Sequence, residues 1–411
     1  MTSQYSIRRV DAVLKVIGQL KSVDFPYEHS KHALEKVESH FQKLKLDIER
    51  SLKSDSPDLS RNTCAEALEQ TFVFLPILGF ILRSTDIGNA FELHGPLLRL
   101  ARTLLGDNIK LIISSEWEYS PYTYLPIPQL DQFVLIGLPS PESANPLVFP
   151  LAGHELGHTL WRYSGHATHI KPAIAEGIIN DIKSNRWDEY VKTFPSQERD
   201  RSTYGDHPTD MEMIAPASAW AERQAEEVFC DLIGLRLFGK AYIHALTYFL
   251  APGFRTRLPH YPRLSVRFRC LSDACHEYGI NKPEQFADIA AVAEVQSDPT
   301  NVEKFMVSLA DTALDRSTTT LMQLARHAAE DAGIKLPDDE EIDHVVETQF
   351  KKGVPARGQS GLANILNAGW RAFQDKDMST ANPNITNYED FLKELVLKSI
   401  EVFEIENRTA N

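Results

Sequence analysis

The sequence predicts a predominantly helical α+β protein with one small β-sheet. Amphipathic helix patterns fill the first hundred residues and return from about residue 170 to the end. Between them lie two short apolar runs, rich in β-branched residues and bounded by proline or glycine, which indicate strands. The chain has 411 residues, 43% of them hydrophobic and 24% charged, so it can bury a sizeable core in one to three domains.

Three helices are predicted in the N-terminal region. The first covers residues 8–20, and the third, more fully apolar, covers residues 64–82. The second is marked by apolar residues at alternating steps of three and four, which form one face of an amphipathic helix: Leu34, Val37, Phe41, Leu44 and Ile48. The most apolar run, 72–82, has about half of the roughly 20 residues that span a bilayer, so we expect a buried helix and no transmembrane segment.

Two strands are predicted next, at residues 109–115 and 133–138, with an extended Pro- and Tyr-rich connection between them. Prolines then precede the following helix, and Pro150 lies close to its first turn. These patterns suggest three regions. We expect an N-terminal helical region over 1–105, a central region with the sheet over 106–280, and a C-terminal helical region over 281–411.

Charge and cysteine content narrow the class of protein. Asp and Glu number 57 against 43 Lys and Arg, which gives a net charge of −14 and argues against general affinity for nucleic acid or anionic lipid. The four cysteines are scattered without a Cys-x-x-Cys pair, as is usual in a reducing compartment. No long apolar stretch follows the N-terminal arginines, so no secretory signal is predicted. We therefore expect a soluble, cytoplasmic protein.

The main chemical motif is His154-Glu155-Leu-Gly157-His158. Residues four apart on a helix project from the same face, so His154 and His158 can bind one Zn2+ ion. Glu155 can then act as general base toward a metal-activated water and deliver the proton to a leaving amine. Gly157 is small enough to let another backbone or a substrate approach closely, although glycine costs roughly 1 kcal/mol of helix propensity.

A second helix offers the third metal ligand that two histidines need. Residues 220–234 contain Glu227 and Asp231, again four apart. A carboxylate completes a His2Glu zinc site and leaves the fourth position open, and an aspartate one turn on can accept the other imidazole N–H. Glu226 is the alternative ligand; otherwise it is expected on a solvated acidic face together with Glu222.

These two motifs resemble those of the gluzincin peptidases, the broad group that includes thermolysin. The segment Glu227-Val-Phe-Cys230-Asp231 followed by Gly234 is similar to the Glu-x-x-Ala-Asp-x-x-Gly of the CAAX prenyl endopeptidases and their bacterial heat-shock relatives, with Cys230 in place of alanine. The resemblance covers roughly residues 105–275 and implies a zincin-like catalytic core with the small sheet beside the motif helix. The membrane-spanning helices of the prenyl-protein peptidases are missing, so only the chemistry of the centre transfers.

A partial third motif follows at His260-Tyr261-Pro-Arg-Leu-Ser-Val-Arg267. The family has His-Pro and then an arginine five residues past the proline; here Tyr261 occupies the histidine position and His260 lies one residue earlier. Either side chain could donate a hydrogen bond to the oxyanion of a tetrahedral intermediate. Arg267 could serve the substrate or pair with an acidic side chain in the core.

The sequence therefore predicts a zinc metallopeptidase that acts on a peptide or protein substrate and binds no nucleic acid. The alternative is a zinc-binding regulatory or interaction protein with weak or no turnover, whose helical lobes contact a protein partner. The intact Glu155 favours the enzyme, because a structural zinc site is usually closed by a fourth protein ligand and has no use for a base.

Overall fold

The computed structural model describes residues 2–54, 56–86, 90–195, 200–251, 256–283, 286, 294, 299–358, 361–375, 378 and 387–410. Helices dominate these residues and one small sheet is present, which confirms the predicted predominantly helical α+β class. Contacts within the chain define two compact units, one of Met1–Arg102 with Gly106–Asn145 and one of Thr103–Leu105 with Pro146–Asn411.

This division differs from the three predicted regions, because the sheet groups with the N-terminal helices. Strand residues Ile112, Phe133 and Leu135 belong to the same hydrophobic cluster as the apolar faces of the first three helices. The sheet and the helix that carries His154 and His158 consequently belong to different units.

The first unit begins with α1 (Thr2–Leu20), α2 (Glu28–Ser51) and α3 (Pro57–Arg83). The predicted face of α2 is buried along its whole length: Leu34, Val37, Phe41, Leu44 and Ile48. α3 begins earlier than predicted because Ser56 caps it, accepting a hydrogen bond from the Leu59 N–H at 3.3 Å, and Pro57 occupies the first turn.

The apolar helix α3 is buried along one face only. Phe74, Phe80 and Ile81 lie in the core, whereas Phe72 is 68% exposed. By length and composition α3 could cross a membrane, and 39% of its most apolar 18-residue window is buried. A core helix of a soluble protein passes the same test, so the expected lack of a transmembrane segment stays a prediction.

The sheet has three strands, β1 (Lys110–Glu116), β2 (Tyr122–Thr123) and β3 (Phe133–Pro139), in the order β1-β3-β2. β1 and β3 confirm the two predicted strands and pair in parallel, while the short β2 pairs antiparallel with β3. Gly137 in β3 makes the pairing with β2 possible, because a Cβ there would lie 2.8 Å from the ring of Tyr122.

Helix α4 (His94–Leu105) precedes the sheet, and the described secondary-structure elements after the sheet are helices joined by turns and loops. These helices are α5 (Ala152–Tyr163), α6 (His166–Asn185), α7 (Trp187–Thr193), α8 (Pro208–Phe238), α9 (Lys240–Leu250), α10 (Leu264–Glu277), α11 (Asn301–Asp331), α12 (Asp339–Thr348), α13 (Leu362–Gln374) and α14 (Tyr388–Ala410). α8 lies at the centre of the second unit: every residue from 224 to 238 is buried, and α5, α6, α10 and α11 pack around it. A helix buried on all sides can carry polar residues only where they are paired.

Small residues bring α5 and α8 unusually close together. A Cβ on Gly157 would lie 2.8 Å from the Cα of Cys230, and a Cβ on Gly153 would lie 3.2 Å from the Cα of Gly234. The two backbones therefore touch at two successive turns, as expected for Gly157. This contact sets the distance between the side chains that project from both helices toward the candidate site.

Candidate metal site

The two sequence motifs meet between α5 and α8. His154 lies opposite Asp231, and His158 lies opposite Glu226 and Glu227. Because increasing residue numbers on α5 meet decreasing numbers on α8, the two helices run antiparallel at this point. The structure thus brings together all four predicted residues of the metal centre and its immediate support: His154, His158, Glu227 and Asp231.

The imidazole of His154 is held by a buried carboxylate. Its Nδ1 atom lies 3.0 Å from Asp231 Oδ1, as the one-turn spacing predicts. Tyr242 on α9 donates to the same oxygen at 2.7 Å, and Arg267 on α10 donates from Nε and Nη2, each at 2.7 Å. Burial alone would raise the pKa of Asp231, but the charges and hydrogen bonds of Arg267 and His154 together outweigh burial and hold that pKa well below its usual range. Arg267 is therefore the core partner of Asp231, one of its two predicted roles.

The imidazole of His158 is held in the same way by Glu226. Its Nδ1 atom lies 2.8 Å from Glu226 Oε1, Arg162 donates to that oxygen at 3.1 Å, and Arg223 donates to Oε2. The expectation of a solvated Glu226 is wrong, since the residue is 5% exposed. Its charge can be buried because three basic groups surround it. Glu222 fits the expectation better, with a partly exposed side chain 3.5 Å from Lys171.

With both Nδ1 atoms engaged, the Nε2 atoms face the carboxylate of Glu227. His154 Nε2 lies 3.4 Å from Glu227 Oε2, and His158 Nε2 lies 3.7 Å from Glu227 Oε1. Ligands at 2.0–2.1 Å from a tetrahedral Zn2+ ion are separated from each other by about 3.3 Å. The three side chains are therefore spaced almost as zinc ligands are.

Electrostatics at the centre follow from burial and close pairing. Burial opposes the ionisation of Glu227, but the hydrogen bond with His154 and the charges of His154, His158 and Arg267 together outweigh it and lower the pKa of Glu227 to about 2. Burial likewise lowers the pKa of His154, yet its contacts with Asp231 and Glu227 raise that pKa to about 10. Glu155 differs from both, because its burial dominates and raises the pKa of this carboxyl.

Cys230 adds a fourth potential donor. The donor atoms of His154, His158 and Cys230 all lie within 4.8 Å of one another, so this cluster could bind a metal ion. Cys230 is fully buried, as expected for a small core residue, and burial raises the pKa of its thiol well above the usual value. The site thus offers two candidates for the third ligand, Glu227 and Cys230.

The segment with His260 and Tyr261 is held by side chains that donate hydrogen bonds to its backbone carbonyls. Gln224 on α8 donates to the Pro259 carbonyl at 2.7 Å, and Arg257 donates to the Tyr261 carbonyl at 2.9 Å while pairing with the buried Asp311. Burial and then the negative charge of Glu227 raise the pKa of Tyr261. The ring of His260 lies 4.8 Å from that of Tyr261.

Sequence reasoning did not identify Tyr242, Arg162 or Arg223 as parts of this site. Helical spacing could have indicated the two arginines, because Arg162 follows His158 by four residues and Arg223 precedes Glu227 by four. Tyr242 gives no such signal, since it comes from α9 and only tertiary packing brings it to Asp231.

Comparisons with protein-family models, with curated proteins and with solved structures found no match. The resemblance to gluzincin peptidases therefore remains a prediction from the sequence motifs of this chain.

Proposed function

We propose that this protein is a zinc-dependent metallopeptidase in which His154, His158 and Glu227 bind one Zn2+ ion. One observation carries the proposal. Carboxylates engage both Nδ1 atoms, so both Nε2 atoms converge on Glu227, at 3.4 and 3.7 Å. Carboxylate–histidine–metal arrangements of this kind orient the ligands of catalytic zinc.

The donor set fits zinc in a catalytic rather than a structural role. Two imidazole nitrogens and one carboxylate supply three ligands and leave one position for water or substrate. A zinc ion bound there would polarise the substrate carbonyl and lower the pKa of water. Glu227 is a better third ligand than Cys230, because its carboxylate is already ionised while the buried thiol would first have to lose a proton.

Glu155 is the proposed general base. It lies between the two histidines in sequence and is only 4% exposed. Burial raises the pKa of Glu155, and a carboxylate with a raised pKa is a stronger base toward water and can return the proton to the leaving amine. The charges of His158 and His154 moderate this rise.

Tyr261 is the proposed hydrogen-bond donor to the carbonyl oxygen during attack. Two of the carbonyls of its segment are held by Gln224 and Arg257, so its position is set before substrate arrives. Its pKa is raised, which keeps the hydroxyl protonated and able to donate at neutral pH. We prefer Tyr261 to His260 because Arg257 holds the carbonyl of Tyr261. Together these residues make a zincin-like catalytic core.

The test of the enzyme is the Glu155→Gln variant. We expect it to retain zinc at the wild-type level and to lose cleavage of a pool of unstructured peptides analysed by mass spectrometry. The exposed Glu176 on α6 supplies a charge-matched control, since Glu176→Gln should leave cleavage unchanged. Equal cleavage by wild type and Glu155→Gln would refute the proposal, as would a zinc-loaded wild type that cleaves no peptide.

A second candidate is a zinc-binding regulatory protein, and the position of Cys230 favours it. If Cys230 joins His154, His158 and Glu227, four protein ligands close the site as in structural zinc centres. Cobalt-loaded protein separates the two candidates, because a thiolate ligand adds an intense near-ultraviolet band. The regulatory role would be supported if wild type shows this band and cleaves no peptide, and if the band is lost in Cys230→Ala. Cleavage without the band would support the enzyme.

The identity of the third ligand has its own test. Glu227→Ala should sharply reduce the zinc content, while Cys230→Ala should leave it near the wild-type level. The reverse result would assign the position to Cys230, and full zinc in both variants would point to Glu226.

A further inference from the structure

Two arginines share one carboxylate beside His158. Glu226 accepts hydrogen bonds from Arg162 on α5 and from Arg223 on α8, in addition to its contact with His158. Two guanidinium groups against one carboxylate leave one positive charge in excess. This cluster lies one helical turn beyond the metal ligands, since Arg162 follows His158 and Arg223 precedes Glu227 by four residues each.

The two arginines differ in access. The side chain of Arg162 is 18% exposed, and its Nη1 atom is buried without a hydrogen-bond partner among the residues that the structure describes. The side chain of Arg223 is 46% exposed. In the described part of the chain its guanidinium pairs with Glu226 through Nη1, so its other N–H groups can reach a ligand from solvent. The buried guanidinium of Arg162 thus neutralises Glu226, and the excess positive charge lies on the more exposed guanidinium of Arg223.

Arg223 also lies near the proposed reaction centre. Its partner Glu226 lies 2.8 Å from Nδ1 of His158, so one carboxylate separates the Arg223 guanidinium from a proposed zinc ligand. A second acidic residue beside Arg223 on α8, Glu222, lies 3.5 Å from Lys171. The acidic residues beside Arg223, Glu226 and Glu222, are therefore each paired with a basic side chain, which reduces their repulsion of a negatively charged ligand.

We infer that Arg223 binds a carboxylate of the substrate next to the scissile bond. The inference rests on the proposed function, and it names a substrate class: peptides that present a carboxylate close to the point of cleavage. An acidic side chain and the C-terminal carboxylate of a short peptide share this chemistry. Arginine suits both, because its planar fork matches a carboxylate with two parallel hydrogen bonds.

The test uses peptide hydroxamates, which bind zinc directly and need no turnover. Three compounds of equal size end in a glutamate with an amidated C-terminus, a glutamine with a free C-terminus, or a glutamine with an amidated C-terminus. Their Kd values are measured by calorimetry on zinc-loaded wild type, Arg223→Gln and Arg223→Lys. Arg326→Gln is the matched control, because Arg326 is 37% exposed and pairs with a single carboxylate, Glu277, outside the site.

We expect one acidic compound to bind wild type about fivefold more tightly than the neutral one, the range of a partly exposed ion pair. The preference should vanish in Arg223→Gln, persist largely in Arg223→Lys and be unchanged in Arg326→Gln. The acidic compound that binds more tightly shows whether Arg223 binds a side-chain carboxylate or a C-terminal carboxylate.

Equal binding of all three compounds to wild type, or a preference that survives in Arg223→Gln, would overturn the inference while leaving the zinc site intact. Protein that neither retains zinc nor binds any hydroxamate would instead refute the proposed function, and the inference with it.

Discussion

His154 Nδ1 lies 3.0 Å from Asp231 Oδ1, and the same carboxylate receives two hydrogen bonds from Arg267. Asp231 therefore contacts both the proposed metal ligand His154 and a buried guanidinium, whose charge it neutralises. At 1% exposure it can do so only with both partners in place.

Replacing Asp231 should affect both metal binding and stability. We expect Asp231→Asn to weaken zinc affinity by roughly 10- to 100-fold, as for other residues that orient metal ligands. The loss of charge opposite Arg267 should lower the free energy of unfolding by about 3 kcal/mol. Chelator competition and urea denaturation measure the two effects. Asp273→Asn, at an exposed position of α10, should change neither, and wild-type zinc affinity in Asp231→Asn would remove Asp231 from the site.

Glu226 should support His158 as Asp231 supports His154. We expect Glu226→Gln to lower zinc affinity by about tenfold, because the amide still accepts a hydrogen bond from Nδ1 but no longer carries charge. Glu222→Gln, one turn earlier on α8, is the control and should keep wild-type affinity. Equal zinc affinity in the two variants would show that the contact with Glu226 is only structural.

Close packing of α5 on α8 predicts opposite effects of alanine at two helical glycines. A Cβ at Gly157 would lie 2.8 Å from the Cα of Cys230, so Gly157→Ala should separate the helices and destabilise the protein by about 1–3 kcal/mol. At Gly177 on α6 nothing lies within 4 Å, so Gly177→Ala should be neutral or stabilise by up to about 1 kcal/mol. Thermal unfolding checks both, and a Gly157→Ala protein as stable as wild type would contradict the packing.

We expect His244 to make the free energy of unfolding depend on pH. Its ring stacks on Trp370 with centroids 5.2 Å apart, and its Nδ1 accepts a hydrogen bond from Gln374 at 3.0 Å. Burial, and then the charge of Lys240, lowers the pKa of His244 from 6.5 to about 4. Between these values the unfolded chain binds the proton more tightly, so the contribution to stability is complete above pH 6.5 and is lost as the pH falls toward 4.

The measurement compares wild type with His244→Phe, which keeps the stacked ring and cannot titrate. Between pH 7.5 and pH 5.0, wild type should lose about 2 kcal/mol more unfolding free energy than the variant. Identical losses in the two proteins would mean that His244 is not held neutral in the fold.

Spacing along single helices predicted much of the site, and tertiary packing decided the rest. His154, His158, Glu227 and Asp231 follow from i,i+4 geometry, as does the buried face of α2. The same rule could not tell that Glu226 is buried, because its environment comes from Arg162 on another helix. Nor could it assign the sheet to the first unit, since that depends on which apolar surfaces meet.

The glycine contacts between α5 and α8 also suggest how distant relatives of this chain could be recognised. Because the donor groups project from two touching helices, every connecting loop could change in length without disturbing them. A relative with the same site must keep two short helical sequence motifs, Gly153-His-Glu-Leu-Gly-His158 and Glu226-Glu-Val-Phe-Cys-Asp-Leu-Ile-Gly234. A sequence search that requires both motifs but allows any number of residues between them would find relatives whose overall sequence identity to this chain is low.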